Sequence, residues 1–388
     1  MLKQKLIFII AIIISIFSIY GCSNNNQNSI VLRTMGSLFF GGTVETLESG
    51  DTFHGDHGYA QYYIPQNSYN YPIIMWHGIG QSGKSFESTP DGREGYMAIL
   101  PRKNWAVYII DQPRRGRAGR TKDTLENATL SMLEAYESEA WNAFRNGIWK
   151  KPNKPYLFEG VQFPNDADSI EQFFRQQTPD TGTPYNAEYE EFMGETMADL
   201  LKRTGPAILM THSASGSYGW NTALIAEEFL KAIVAYEPGF FIFPEGEEIE
   251  YIESPLDFIR DNYNRPKRIS TNEFIKLTKF PILIVWGDNI STEPTNEVFN
   301  EEFWRVASIR AKEFADTVNK YGGDATLVML PEIGIKGNTH APFADLNNEE
   351  IANHLIDFLH EKKLDINNNP HTGPAKHGLT EYTIPLEK

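Results

Sequence analysis

The chain has 388 residues, enough for one large α/β domain or two smaller ones, and its 41% hydrophobic and 22% charged composition supplies material for a core. A formal net charge of −16 makes nucleic acid and acidic membrane surfaces poor electrostatic partners. The single cysteine excludes an intramolecular disulfide and the C-x-x-C metal and redox motifs.

Met1–Gly21 opens with Lys3 and Lys5 and continues as an apolar run from Leu6 to Tyr20. The run is shorter than the about 20 apolar residues a membrane span needs, and it has the form of a secretory signal. It ends Ile19-Tyr20-Gly21-Cys22, which resembles a bacterial lipobox. That resemblance implies cleavage before Cys22, lipidation of its thiol and acylation of the new amino group. An ordinary signal peptide with an incidental cysteine is the alternative. Residues 22–29 are then a polar tether with nothing to bury, and two or more acyl chains hold a protein stably on a bilayer. The expected membrane contact is this N-terminal lipid, on the periplasmic or cell-surface side of a bacterial envelope.

Ile30–Val44 and Tyr59–Ile64 collect β-formers between glycines and turn residues and read as early antiparallel strands, with Asp51–Gly58 as a loop between them. Asp51, His54, Asp56 and His57 are metal-ligand types, but loops of this composition are more often solvated turns, and no metal is expected. Tyr71–Trp76 and Trp105–Asp111 are short buried strands separated by a helix-length segment, the pattern of a parallel sheet. The arginines of Gln112–Arg120 lack interleaved aromatics for nucleic acid and read as a structural cluster near a site mouth. Asn127–Gly205 shows helical patterns over Leu130–Arg145 and Ala187–Arg203 around an irregular stretch, Lys151–Pro184. It reads as a cap insertion, about 122–204, over the carboxyl edge of the sheet.

Further on, Lys231–Tyr236, Pro281–Trp286 and Ala325–Leu330 are strands, Thr222–Lys231 is a helix candidate, and Glu301–Tyr321 and Glu349–Lys363 have helical spacing. Asp365–Lys388 looks like a loosely ordered tail. This alternation predicts an α/β fold over 30–364, a doubly wound, mostly parallel central sheet with flanking helices.

The apolar run Ala207–Met210 stops at Thr211-His212-Ser213, and Ala214, Ser215, Gly216 and Ser217 follow. A buried strand ending in a serine among small residues fits the nucleophile elbow of G-x-S-x-G enzymes, here with Thr211 and Ser215 where glycines are usual. Ser213 leaves the strand directly and is the candidate nucleophile; Ser215 and Ser217 suit helix caps. Catalytic groups in such sheets gather at the carboxyl ends of the strands, in the chain order nucleophile, acid, base. His354 and His360 sit on the closing helix, and His371 and His377 in the tail. Only His340 follows a buried strand in a glycine-containing loop, so it is the candidate base. Two acids compete: Glu237 ends the strand after the elbow helix, and Asp288 ends the penultimate strand. A carboxylate leaving a buried strand is costly unless used, and this holds for both. The oxyanion hole needs two backbone N–H donors, which we assign to Ala214 and to Ile79 in the loop His77-Gly78-Ile79-Gly80.

In order, MWHGIGQSG, STPDGREG, YIIDQPRRGR, THSASG, AYEPG, VWGDNI and GNTHAPFADLNN resemble the α/β-hydrolase-fold bacterial esterases of the esterase 713 type, over roughly Met35–Leu359. The resemblance implies nucleophile Ser213, base His340 and an acid taken from E-P-G, Glu237, with Asp288 a structural residue of the same mouth. It further implies a serine hydrolase that cleaves small-molecule carboxylic esters through an acyl-enzyme, with no metal or organic cofactor. The same triad serves amide, thioester and C–C cleavage, and a non-catalytic surface binding protein on this fold is the alternative of another class. A homodimer is left open.

Overall fold

The computed structural model describes residues 29–46, 48–121, 136–179 and 186–375. The signal segment, Cys22, most of the tether, the first part of the helix expected over 130–145 and the end of the tail lie outside them. The chain divides into residues 1–31 and 32–388, and the second unit carries everything below. Among the described residues, no helix is long and apolar enough to cross a membrane.

Eight strands form the main sheet: β1 (Leu32–Phe40), β2 (Gly58–Pro65), β3 (Ile73–Trp76), β4 (Val107–Asp111), β5 (Ala207–His212), β6 (Leu230–Tyr236), β7 (Pro281–Trp286) and β8 (Asp324–Met329). Their spatial order is β1-β2-β4-β3-β5-β6-β7-β8. β2 pairs antiparallel with β1 and β4, and every later pairing is parallel. The early antiparallel pair matches the sequence reading. The stretch read as a loop, 51–58, instead contains a strand, Thr52–Gly55, that pairs with Thr43–Thr46 in a small hairpin. Phe53 anchors it under the Arg120 guanidinium, and Asp56 pairs with Arg114 at 2.9 Å.

The longer helices among the described residues are α1 (Tyr96–Arg102), α2 (Glu137–Ala143), α3 (Ala167–Arg175), α4 (Ala187–Thr204), α5 (Ser215–Ala226), α6 (Asp257–Asn264), α7 (Phe299–Lys320) and α8 (Asn348–Glu361). Strand side chains alternate between two faces, and here both faces are apolar. Trp76, Ile110, Leu209, Ile233 and Ile284 join Met193, Met197, Trp220, Val306 and Phe314 of α4, α5 and α7 in one core. Met75, Ile109, Met210, Val234 and Val285 join Ile99, Leu100, Ile351 and Leu355 of α1 and α8 in the other. Central strands buried on both sides need helices on both sides, which is why their sequences are continuous apolar runs.

Three segments differ from the sequence reading. The helix after the elbow begins at Ser215, not Thr222; Gly216, Ser217 and Gly219 in its first turns read as non-helical, but their small size lets neighbouring backbone approach. α4, read as part of the cap, lies against α5 and β1 as a flanking helix, its residues Tyr189, Met193, Met197 and Leu201 repeating at helical spacing toward the core. Finally, 366–375 is held in place. Asn70 N–H donates to Ile366 O, His371 N–H to Tyr69 O and Ala375 N–H to Arg203 O, and the His371 ring meets the Tyr108 hydroxyl at 2.8 Å. Its polar, proline-containing sequence carries no sign of these partners, all of which lie far back in the chain.

Candidate active site

β5 delivers Ser213 at its carboxyl end. Ser213 is buried and has φ +56°, a conformation costly for a residue with a side chain and characteristic of a strained strand-to-helix turn. Thr211 occupies a position where a glycine is usual, and the room for it comes from one step along α5. A Cβ on Gly219 would lie 2.8 Å from Thr211 Cγ2, so a glycine on the facing helix leaves the room that the Thr211 side chain fills. The two neighbouring serines are engaged by backbone. Ser215 Oγ accepts from His212 N–H at 2.9 Å and lies 3.0 Å from Trp76 O, while Ser217 donates to Ala214 O. Ser213 alone of the three lines the main cavity.

The loop after β3 runs alongside. A Cβ on Gly78 would lie 2.8 Å from Ser213 Cβ, so glycine is what permits the approach. His77 accepts the Gln112 N–H on Nε2 at 3.2 Å, which leaves Nδ1–H to donate to Gly78 O at 2.9 Å. Burial holds the His77 ring neutral, its pKa lowered to about 4. Ile79 and Ala214 both line the cavity beside Ser213.

Glu237 leaves β6 with φ +47° and is fully buried. Its Oε2 lies 2.5 Å from His340 Nδ1. Burial alone raises a carboxyl pKa, but here the charges of Arg145 and of His340 outweigh it and hold Glu237 at about 2. Burial lowers the His340 pKa, and this outweighs the opposing pull of Glu237. At neutral pH the pair is therefore a carboxylate and a neutral imidazole with its proton on Nδ1, leaving Nε2 as a free base. The other candidate acid does something else: Asp288 Oδ1 accepts from Asn289 N–H and Oδ2 from Gly337 N–H at 2.8 Å, shaping the loop that carries His340.

His340 is fixed on every side. Its N–H donates to Phe144 O at 2.8 Å. Its carbonyl lies 2.9 Å from His212 Nε2, and the Trp304 ring covers its imidazole at 4.1 Å between centroids. Trp304 is itself held by Nε1–H donation to Ala143 O at 2.7 Å. Sequence reasoning missed four participants here. Arg145 puts both Nη groups on the Glu237 carboxylate and Nε on Asp288 O. Buried His212, read only as the residue before the serine, holds the His340 backbone. Asp345 accepts from Thr339 N–H and Thr339 Oγ1. Arg93 reaches Asp345 O, Leu346 O and Asn348 Oδ1. The blocks STPDGREG and GNTHAPFADLNN are thus two halves of one clasp, a pairing that recurs in the sequence only as two separate polar motifs.

Ser213, His212 and His340 open onto a cavity of about 300 Å³ walled by Phe144, Phe240, Phe299, Phe303 and Trp304. Its lining is almost wholly apolar, with Glu139 and Asn300 the polar side chains besides Ser213, His212 and His340. The arginines of Gln112–Arg120 stay with protein partners: Arg117 with Asp111 and Arg114 with Asp56. Among the described residues, no cluster of three or more His, Cys, Asp or Glu is arranged to hold a metal ion.

No family model matches the chain. A protein described as "Probable secreted lipase phiG", from a fungal species (strain ATCC 74256), is 28% identical over 336 residues, covering 78% of this chain and 86% of that protein. The solved structure of a novel bacterial esterase is 27% identical and superposes with a TM-score of 0.67, covering 86% of this chain and 97% of the other. With this strand order and this elbow, the chain has the α/β-hydrolase fold and is similar in sequence and structure to a bacterial esterase.

Proposed function

We propose that the chain is a carboxylic ester hydrolase in which Ser213, His340 and Glu237 act as nucleophile, base and acid on esters of apolar acids. The observation that carries this reading is the 2.5 Å contact of Glu237 with His340 Nδ1, in a site where Ser213 and His340 share one apolar cavity. His340 Nε2 takes the Ser213 proton as Oγ attacks the ester carbonyl, and the imidazolium that forms is stabilised by ionised Glu237. The backbone N–H groups of Ala214 and Ile79 receive the oxyanion. His340 then protonates the departing alcohol, and a water activated by the same base frees the acid and Ser213. The aromatic walls suit an apolar acyl or alcohol group. The esterase and lipase similarities support an ester as the scissile bond.

The relative described as secreted supports export, and the Cys22 sequence context supports retention at a bacterial envelope by lipid. Hydrolysis of p-nitrophenyl esters of graded acyl length, with Ser213→Ala alongside, tests the chemistry. Activity lost in the variant with unchanged thermal unfolding is the expected result. Equal activity in both proteins removes Ser213 from the mechanism.

A further inference from the structure

Arg145 follows α2 inside the inserted segment, 92 residues before Glu237, and belongs to none of the motifs above. It is 2% exposed, Glu237 is fully buried, and the two pair as a two-pronged fork. Arg145 itself has φ +53°, so the backbone is held in a disfavoured conformation to bring the guanidinium there. Glu237 Oε1 accepts from Arg145 Nη2 and from Gly287 N–H, while Oε2 accepts from Arg145 Nη1 and His340 Nδ1. Four donors use the carboxylate's full capacity of about four lone-pair sites, so it has one orientation. The Nε–H ties the guanidinium to Asp288 O at 2.9 Å, and Asp288 in turn accepts from the His340 loop at Gly337.

We propose that Arg145 is a positioning residue for the reaction: its guanidinium fixes the Glu237 carboxylate on His340 Nδ1 and makes the inserted segment part of the catalytic framework. This rests on the serine-esterase reading above. Arg145 acts through Glu237 and touches neither Ser213 nor the cavity. Its charge keeps Glu237 ionised while the imidazolium forms, so the proton from Ser213 stays on His340. A lysine keeps the charge but not the planar fork.

The charged and titratable groups around His340 are Glu237 on Nδ1, Arg145 behind Glu237, and His212 from β5 on its backbone. Asp288 and Asp345 sit in neighbouring loops with their carboxylates on Gly337, Asn289 and Thr339. Arg145 is among the causes that lower the His340 pKa, after burial and against Glu237. Removing its charge moves that pKa upward.

The experiment measures kcat, KM and the pH dependence of kcat/KM on p-nitrophenyl butyrate for wild type, Arg145→Met, Arg145→Lys, Glu237→Gln and the Glu237→Gln/Arg145→Met pair. Arg145→Met should lower kcat about 10²-fold, short of the roughly 10⁴-fold loss on disabling a triad acid. KM should stay within about threefold, and the acid limb should move to higher pH. Arg145→Lys should fall between, with the acid limb near wild type. The double variant should be no slower than Glu237→Gln, because a residue acting only through Glu237 has nothing left to hold.

Wild-type kcat and acid limb in Arg145→Met, or fully additive losses in the pair, overturn the proposal. Should Arg145→Met not fold, with Glu237 left buried and unpaired, the lysine variant and the charge-free pair still decide: wild-type kcat in the first or added loss in the second overturns it. A wild-type chain inert to esters and unlabelled by a fluorophosphonate overturns the esterase reading and this inference with it. An active wild type with an indifferent Arg145 overturns this inference alone.

Discussion

At the scale of single residues, the two candidate acids separate by what their carboxylates face. Glu237 turns into the site, onto the His340 ring and the Arg145 fork. Asp288 turns its carboxylate to two backbone N–H groups and only its carbonyl toward Arg145. Glu237→Gln should therefore cost about 10⁴-fold in kcat. Asp288→Asn, which keeps one acceptor oxygen, should cost less than about tenfold and about 1 kcal/mol of stability. Steady-state kinetics on both variants checks this, and the reverse ranking would falsify the assignment. For the wild type, a His340 pKa below 6.5 places the acid limb of kcat/KM below pH 6.5; activity is full above that limb and lost as pH falls through it. Burial arguments left these two acids level, because each ends a buried strand and the cost of burying a carboxylate is the same at either place; only the E-P-G block, through the family it resembles, pointed to Glu237. Arg145 was invisible for a different reason: nothing local distinguishes it from the other polar residues of the insertion, and its partner lies 92 residues away.

At the scale of elements, the elbow shows how a departure from the usual pattern is absorbed. A threonine at 211 leaves no room in the strand, and α5 answers with Gly219 where its surface meets Thr211. Gly219→Ala should destabilise the fold by about 1–3 kcal/mol through overpacking, despite alanine's better helix propensity. Adding Thr211→Gly should recover most of the loss, as thermal unfolding of the single and double variants would reveal; a stable Gly219→Ala protein would mean that the strand and helix give way freely. The same small residues explain why the helix start was read seven residues late. Their composition is that of a loop, while their function is close packing.

At the scale of the whole molecule, the described residues of the inserted segment play two parts. α4 completes one core, whereas α2 and the residues after it supply Phe144 O to His340, Ala143 O to Trp304 and Arg145 to Glu237. A net charge of −16 gives no electrostatic route to an acidic bilayer, so the proposed retention at an envelope rests on lipidation of Cys22. Cys22→Ala should shift esterase activity from the membrane fraction of a bacterial host to another fraction, with kcat unchanged in detergent. Activity remaining with the membrane in that variant would rule out lipid as the anchor.

The sequence by itself determined the strands of the main sheet, its doubly wound order, the serine at the end of β5 and the histidine loop after β8. These follow from apolar periodicity and turn residues, which are properties of neighbours along the chain. Only the tertiary structure showed the Glu237 carboxylate on His340 Nδ1, that Arg145 holds it, that Gly219 answers Thr211 and that 366–375 is held in place. Each of these is a distance between segments far apart in sequence, and hydrophobic patterning records which side of an element faces the core without recording what it meets there.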